Sequence, residues 1–251
     1  MQSRNHYFMN LEEEIRMMIS KSEADRFGIA DLSSATDAIR KQGGTLVAGY
    51  PRAISIGVTL IHPIVNLLAQ NSRSNAILYR HHTYDVITTR IDLILSQVAS
   101  QIQQAGYAAF PVPSSRRTDN DRIASVFSHK LAAHCAGLGW IGKNSLLITP
   151  DAGPRVRWGT VLTNAPLSPT GGPMNPRCGS CTTCVENCPV GAITGEPFRE
   201  ADSREIRLDA RKCDQYHASM EKEGKEAICG LCLYVCPFGK HAGDQIQAAG
   251  E

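Results

Sequence analysis

The sequence lacks any long apolar run: no stretch of its 251 residues approaches the roughly 18 apolar residues that cross a bilayer, so no membrane partner is expected. It also lacks a charge imbalance. With 26 Lys and Arg against 24 Asp and Glu the net charge is +2, and scattered basic residues give no footprint for nucleic acid. Only Arg116-Arg117 and the pair Arg155 and Arg157 could form a local anion site. The N-terminus, MQSRNHYFMNLEEEIRMM, has no apolar core of a secretory signal, so a cytoplasmic location is expected and disulfides are not. No low-complexity tract occurs, and the eight histidines show no clustered metal spacing. His129 and His134 stand five apart, off the i, i+4 register of a helical zinc pair, and His81-His82 reads as surface or pocket wall.

What the chain does have is cysteine, nine of them, eight in two groups near the C-terminus. The run CGSCTTCVENCP places Cys178, Cys181, Cys184 and Cys188 at intervals of two, two and three residues and ends on Cys-Pro. That is the spacing of a bacterial ferredoxin, in which three thiolates of one loop hold one cubane and the fourth reaches the other cluster. The second group is Cys213 followed by CGLCLYVCP, with Cys229, Cys232 and Cys236. The spacing predicts two 4Fe-4S clusters, one on Cys178, Cys181, Cys184 and Cys236, the other on Cys213, Cys229, Cys232 and Cys188. Fifteen residues, 214 to 228, separate Cys213 from Cys229 where a ferredoxin has two, so this segment must loop out and return. Structural zinc is the competing reading of paired C-x-x-C, and the third cysteine in register weighs against it. Gly179, Ser180, Gly191, Gly230 and Gly239 would let backbone N–H groups approach the sulfurs. Cys135, the ninth, reads as a small buried hydrophobe.

The cluster module needs only the last quarter of the chain. The Pro/Gly-rich stretch APLSPTGGPMNP marks the boundary, giving an α/β domain over 1–167 and a double-cluster module over 168–251. Apolar spacing predicts a first helix over Leu11 to Phe27 ended by Gly28, then a strand over Ile29 to Leu32. A buried strand follows over Ala53 to Leu60. The clearest helical stripe runs from Tyr84 to Ala105, with Gly106 at its C-terminal cap. Further strands are expected over Tyr107 to Val112, Ser145 to Ile148 and Val156 to Thr163, the last two joined as a hairpin by Pro150 to Gly153. Ser114 to Arg122 is a polar loop, and Ile123 to Ala136 a helix leading into three glycines within six residues, Gly137, Gly139 and Gly142.

The run AGLGWIGKNSLL, then RWGTVLTNAPL, then the double cysteine motif, resembles the epoxyqueuosine reductase and reductive dehalogenase superfamily over roughly residues 25 to 240. The resemblance implies a nitroreductase-like three-layer α/β sandwich that holds cobalamin base-off, and a ferredoxin-like module that feeds it electrons. It implies cobalamin contacts from Gly137, Leu138, Gly139, Trp140, Ile141, Gly142, Lys143, Asn144 and Gly159. An Asp-x-His-x-x-Gly run is absent, so histidine-on cobalamin of the mutase type is not supported. The aspartate run of epoxyqueuosine reductases is missing near Ile123 to Val126, and the chain ends fifteen residues after Cys236 without their tRNA-binding region. A twin-arginine export signal is missing too.

The expectation is an oxidoreductase of anaerobic chemistry, with a ferredoxin or flavodoxin as donor, two clusters, a corrinoid and a small-molecule substrate. Tyr84 is the candidate proton donor, and Arg122 the group that orients an anion. An electron-transfer protein that reduces a partner's corrinoid is the alternative. A flavin-linked or cofactor-free ferredoxin fusion has the least residue support.

Overall fold

The structure is a computed structural model that describes residues 10–70 and 72–240. Helix α1 (Leu11–Lys21) starts where Asn10 and Glu13 exchange hydrogen bonds, the Glu13 N–H to Asn10 Oδ1 at 2.9 Å and the Asn10 N–H to Glu13 Oε2 at 3.1 Å. Its first turn carries Glu12, Glu13 and Glu14, which the helix dipole favours, and it buries Ile15 and Ile19. The helix stops at Lys21, short of the expected Phe27. Phe27 and Gly28 belong instead to β1 (Arg26–Asp31), where a Cβ on Gly28 would lie 2.9 Å from that of Ala136. Gly28 thus serves close packing and is not a helix cap.

After the short helices α2 (Thr36–Gly43) and α3 (Thr45–Ala48) comes β2 (Arg52–Thr59), buried on both faces as its apolar run predicts. Helices α4 (His62–Asn66) and α5 (Arg73–Arg80) lead through a π-helical turn, His81–Val86, into α6 (Ile87–Gln104). The predicted stripe is the buried face of α6: Ile87, Ile91, Ile94, Leu95, Val98 and Ile102. Gly106 has φ 87°, the left-handed conformation a helix end favours. Strand β3 (Ala109–Val112) follows, shorter than expected because Tyr107 lies outside it. Pro111 is tolerated because β3 is an edge strand. Helix α7 (His129–Cys135) is half the length predicted, since 123 to 128 are irregular and Ile123 sits at φ 52°.

Strands β4 (Trp140–Ile141) and β5 (Leu147–Ile148) pair with each other, and β6 (Val156–Thr163) joins the main sheet. The turn at 149 to 153 is closed by two backbone bonds between Thr149 and Gly153, but β5 and β6 lie in different sheets, so it is not the predicted hairpin. The main sheet is antiparallel in the order β1-β2-β6-β3, with Ile54 opposite Val161 and Ser55 opposite Thr160. Side chains alternate between its faces. Ile54, Ile56, Val58 and Val161 meet α6 and α1, whereas Ala53, Leu162 and Val112 meet α7. Two cores on opposite faces of one sheet make the three-layer α/β sandwich that the resemblance implied.

The module beyond has little regular structure: α8 (Thr183–Glu186), α9 (Ala210–Lys222) and α10 (Leu231–Tyr234). The segment that had to loop out does so as α9. Asp209 caps it by accepting from the Arg211 and Lys212 N–H groups, and Cys213 lies in its first turn.

Candidate metal centres at the domain seam

Cys178, Cys181, Cys184 and Cys236 line one cavity, with Lys143, Asn144, Ile148, Pro237 and Phe238. The chain can present three thiols from one loop because Gly179 turns back at φ 51°, and the Cys181 N–H then bonds the Cys178 carbonyl at 3.0 Å. Lys143 braces this loop, its Nζ donating to Gly179 O at 2.9 Å and Cys181 O at 3.1 Å. Cys236 arrives from the far end of the module, buried against Trp140, Ile148 and Phe238.

The other four thiols act on one another electrostatically. Burial raises Cys213, with Cys229 and Cys188 adding to it, and burial raises Cys232 to about 12, with Cys229, Cys213, Cys184 and Cys188 adding to it. Gly230 repeats after Cys229 the left-handed turn that Gly179 makes after Cys178, at φ 66°. Backbone N–H groups reach the sulfurs as the glycines suggested, Ala192 N to Cys188 Sγ at 3.2 Å. Thiols buried this far do not ionise by themselves, so the donor set fits a group that brings positive charge, as a cluster does.

The nine residues implied as cobalamin contacts are placed differently. Trp140 is fully buried and packs edge-on against Phe238, with ring centroids 4.8 Å apart, and Ile141 is buried beside Ala133 and Leu147. A Cβ on Gly137 would lie 3.0 Å from Gly172 O; one on Gly139 would run into Ile148 O, on Gly142 into the Ile148 side chain, and on Gly159 into Ile91. Leu138 packs on Ala133 and its neighbours, and Lys143 and Asn144 bond the cysteine loops, Asn144 Nδ2 to Cys232 O at 3.0 Å. The stretch is the joint between the two parts of the chain. As placed, Gly137, Gly139, Gly142 and Gly159 meet the chain's own atoms.

Arg122 also departs from expectation. Its Nη1 donates to Lys41 O at 2.9 Å and Gln42 O at 3.0 Å, so it caps the C-terminus of α2 rather than facing a substrate anion. The polar loop it ends is a brace. Arg117 pairs with Asp214, Arg211 Nη2 donates to Asp121 O at 2.9 Å, and Arg204 Nη1 to Ile123 O at 2.9 Å. His129 is held between Thr160 Oγ1 at 2.9 Å and Pro113 O at 3.1 Å, and burial pushes it down to about 4.

Tyr84 lies on the π-helical turn, half-buried, with the Arg157 guanidinium 4.1 Å from its ring centroid. Its neighbour Tyr79 is buried, which raises its phenol, and Tyr84 and, more weakly, Cys232 add to that. Cys232 therefore stands at the seam with the α/β domain. Sequence reasoning offered Arg157 only as part of a local anion site and missed Lys130, for which a lysine within the apolar run of α7 was the available signal.

The three-layer domain and the two thiol quartets define an iron–sulfur protein with a double-cluster module joined to an α/β sandwich. Its likenesses among known proteins are to epoxyqueuosine reductases and, in fold, to reductive dehalogenases. Residues 177–239 match the 4Fe-4S double cluster binding domain family. The chain is 38% identical to the epoxyqueuosine reductase of Synechococcus sp. (strain RCC307) over 120 residues, 45% of this chain and 34% of that protein. To the epoxyqueuosine reductase of Pseudomonas aeruginosa it is 26% identical over 237 residues, 88% and 60% of the two. The matches span less than two thirds of these curated relatives' own length.

Among solved structures, a selenomethionine-labelled epoxyqueuosine reductase has a TM-score of 0.60 at 20% identity, covering 92% of this chain and 66% of that one. A reductive dehalogenase whose structure suggests a mechanism for B12-dependent dehalogenation has a TM-score of 0.68 at 18% identity, covering 99% and 35%. These structural likenesses are likenesses of fold. Among the described residues no helix is long and apolar enough to cross a membrane.

Proposed function

We propose that this chain is a cytoplasmic iron–sulfur reductase that takes single electrons from a low-potential donor, such as a ferredoxin or flavodoxin, and delivers them to a base-off corrinoid acting on a small substrate. One cluster would sit on Cys178, Cys181, Cys184 and Cys236, the other on Cys188, Cys213, Cys229 and Cys232. The observation that carries the reading is the seam itself: Asn144 donates to Cys232 O at 3.0 Å, a Cβ on Gly230 would lie 3.6 Å from the Tyr79 hydroxyl, and Arg157 lies over the Tyr84 ring. When bound, the clusters supply one-electron transfer and the corrinoid a low-potential cobalt centre. Tyr84 would hold a proton at its phenolic oxygen, and Arg157 would offset negative charge on a substrate beside it. A small substrate is favoured over tRNA because the net charge is only +2 and the basic residues are scattered.

One observation favours a second reading, in which the corrinoid belongs to a partner protein. The glycine-rich stretch 137 to 144 is filled by this chain's own atoms. The deciding experiment is anaerobic purification, addition of hydroxocobalamin, and assay of iron, sulfide and bound corrinoid. About eight irons with stoichiometric corrinoid would support the first reading. The same iron without corrinoid would move the acceptor to a partner, and iron well short of two cubanes would sink both.

A further inference from the structure

We propose that Lys130 is the half-buried counter-charge of the second cluster and raises its reduction potential. The inference rests on the reading that Cys188, Cys213, Cys229 and Cys232 hold that cluster. Lys130 extends from α7 into the seam, where its Nζ donates to Ser145 O at 2.5 Å. The adjacent Asn144 donates to Cys232 O, so the segment Asn144-Ser145 links the lysine to the ligand's loop. Ser145 holds a left-handed conformation at φ 57° that a non-glycine residue rarely adopts, and its carbonyl is the one that receives the lysine.

The charges facing Lys130 make its placement unusual. From the turn at 204 to 207 Arg204 and Arg207, both cations, act on it, and from α10 Cys232 does. On its own helix His129 is held neutral by burial. Asp202 and Glu205 act on the arginines; among the described residues no carboxylate contributes to the shift at Lys130. Burial and the two arginines lower the lysine to about 8. A half-buried ammonium acted on by two guanidinium groups is costly unless a negative charge adjoins it. A cubane with four thiolates is a net anion that becomes more negative when reduced, so a buried cation beside it favours the reduced form.

The test is an EPR-monitored redox titration of the anaerobically purified protein, after iron analysis has established about eight irons. About four would sink the two-cluster reading itself, separately from the role of Lys130. With both clusters present, Lys130→Gln should make one of them harder to reduce by about tenfold, or about 59 mV for one electron. The other cluster should not move, and Lys130→Arg should restore the first. Unmoved potentials in Lys130→Gln, or equal shifts in Lys130→Gln and Lys130→Arg, would overturn the proposal. If Lys130→Gln does not retain iron, Lys130→Met, which keeps the apolar stem, decides by the same criterion, and an unmoved potential would overturn the proposal.

Discussion

The guanidinium of Arg157 lies 4.1 Å from the centroid of the Tyr84 ring, and the two come from different layers, β6 and the π-helical turn before α6. Such a contact contributes about 0.5–2 kcal/mol, depending on how far it is desolvated. Arg157→Met should lower stability by about that amount in a denaturant titration. Tyr84→Phe keeps the ring and should leave stability and both clusters intact. If the phenol donates a proton in turnover, that variant loses about 10²–10⁴ in rate; full turnover would remove Tyr84 from the chemistry.

Gly159 is the position where α6 comes nearest to the sheet. A Cβ there would run into Ile91 and lie 2.9 Å from Leu95 Cδ1. Gly159→Ala should therefore destabilise the α/β domain by about 1–3 kcal/mol, as overpacking does. A melt monitored by circular dichroism checks it. Loss of corrinoid binding at unchanged stability would instead return this glycine to the role the resemblance implied.

Lys143 gives the loop of the first quartet two charge-assisted hydrogen bonds. Removing them in Lys143→Met should make that cluster the more labile one, since hydrogen bonds from a charged group contribute about 1.5–3 kcal/mol each. Iron release to a chelator, followed against time, should then become biphasic, with a fast half. A single slow phase like that of the unmodified protein would contradict it.

His129 is held neutral, chiefly by burial, which brings it to about 4 from an ordinary value of 6.5. The unfolded chain thus binds the proton more readily than the folded one. This contribution to stability is complete above pH 6.5 and is lost as pH falls from there towards 4. Its slope approaches about 1.4 kcal/mol per pH unit inside that window. Denaturation midpoints measured between pH 4 and 7 should fall with acid, and His129→Gln should flatten that part of the profile.

The sequence by itself determined the double-cluster module, because cysteine spacing is local: two or three residues between thiols fix which of them can share a loop. It also determined the strands and helix whose apolar periods are strong, β2, β6 and α6, since burial on one or both faces leaves its period in the chain. Boundaries such as Lys21 against Phe27 needed the partner. Gly28 reads as a helix stop until Ala136 is seen packed on it. The glycines from 137 to 142 report that something comes close, but not what, and only the tertiary structure put Gly172, Ile148 and the cysteine loops there. Arg157 shows in the sequence only as half of a basic pair, Lys130 only as a lysine in an apolar run, and Arg122 only as the end of a polar loop. What each charge does depends on which groups face it across the seam, and distant parts of the chain supply those groups only once it has folded.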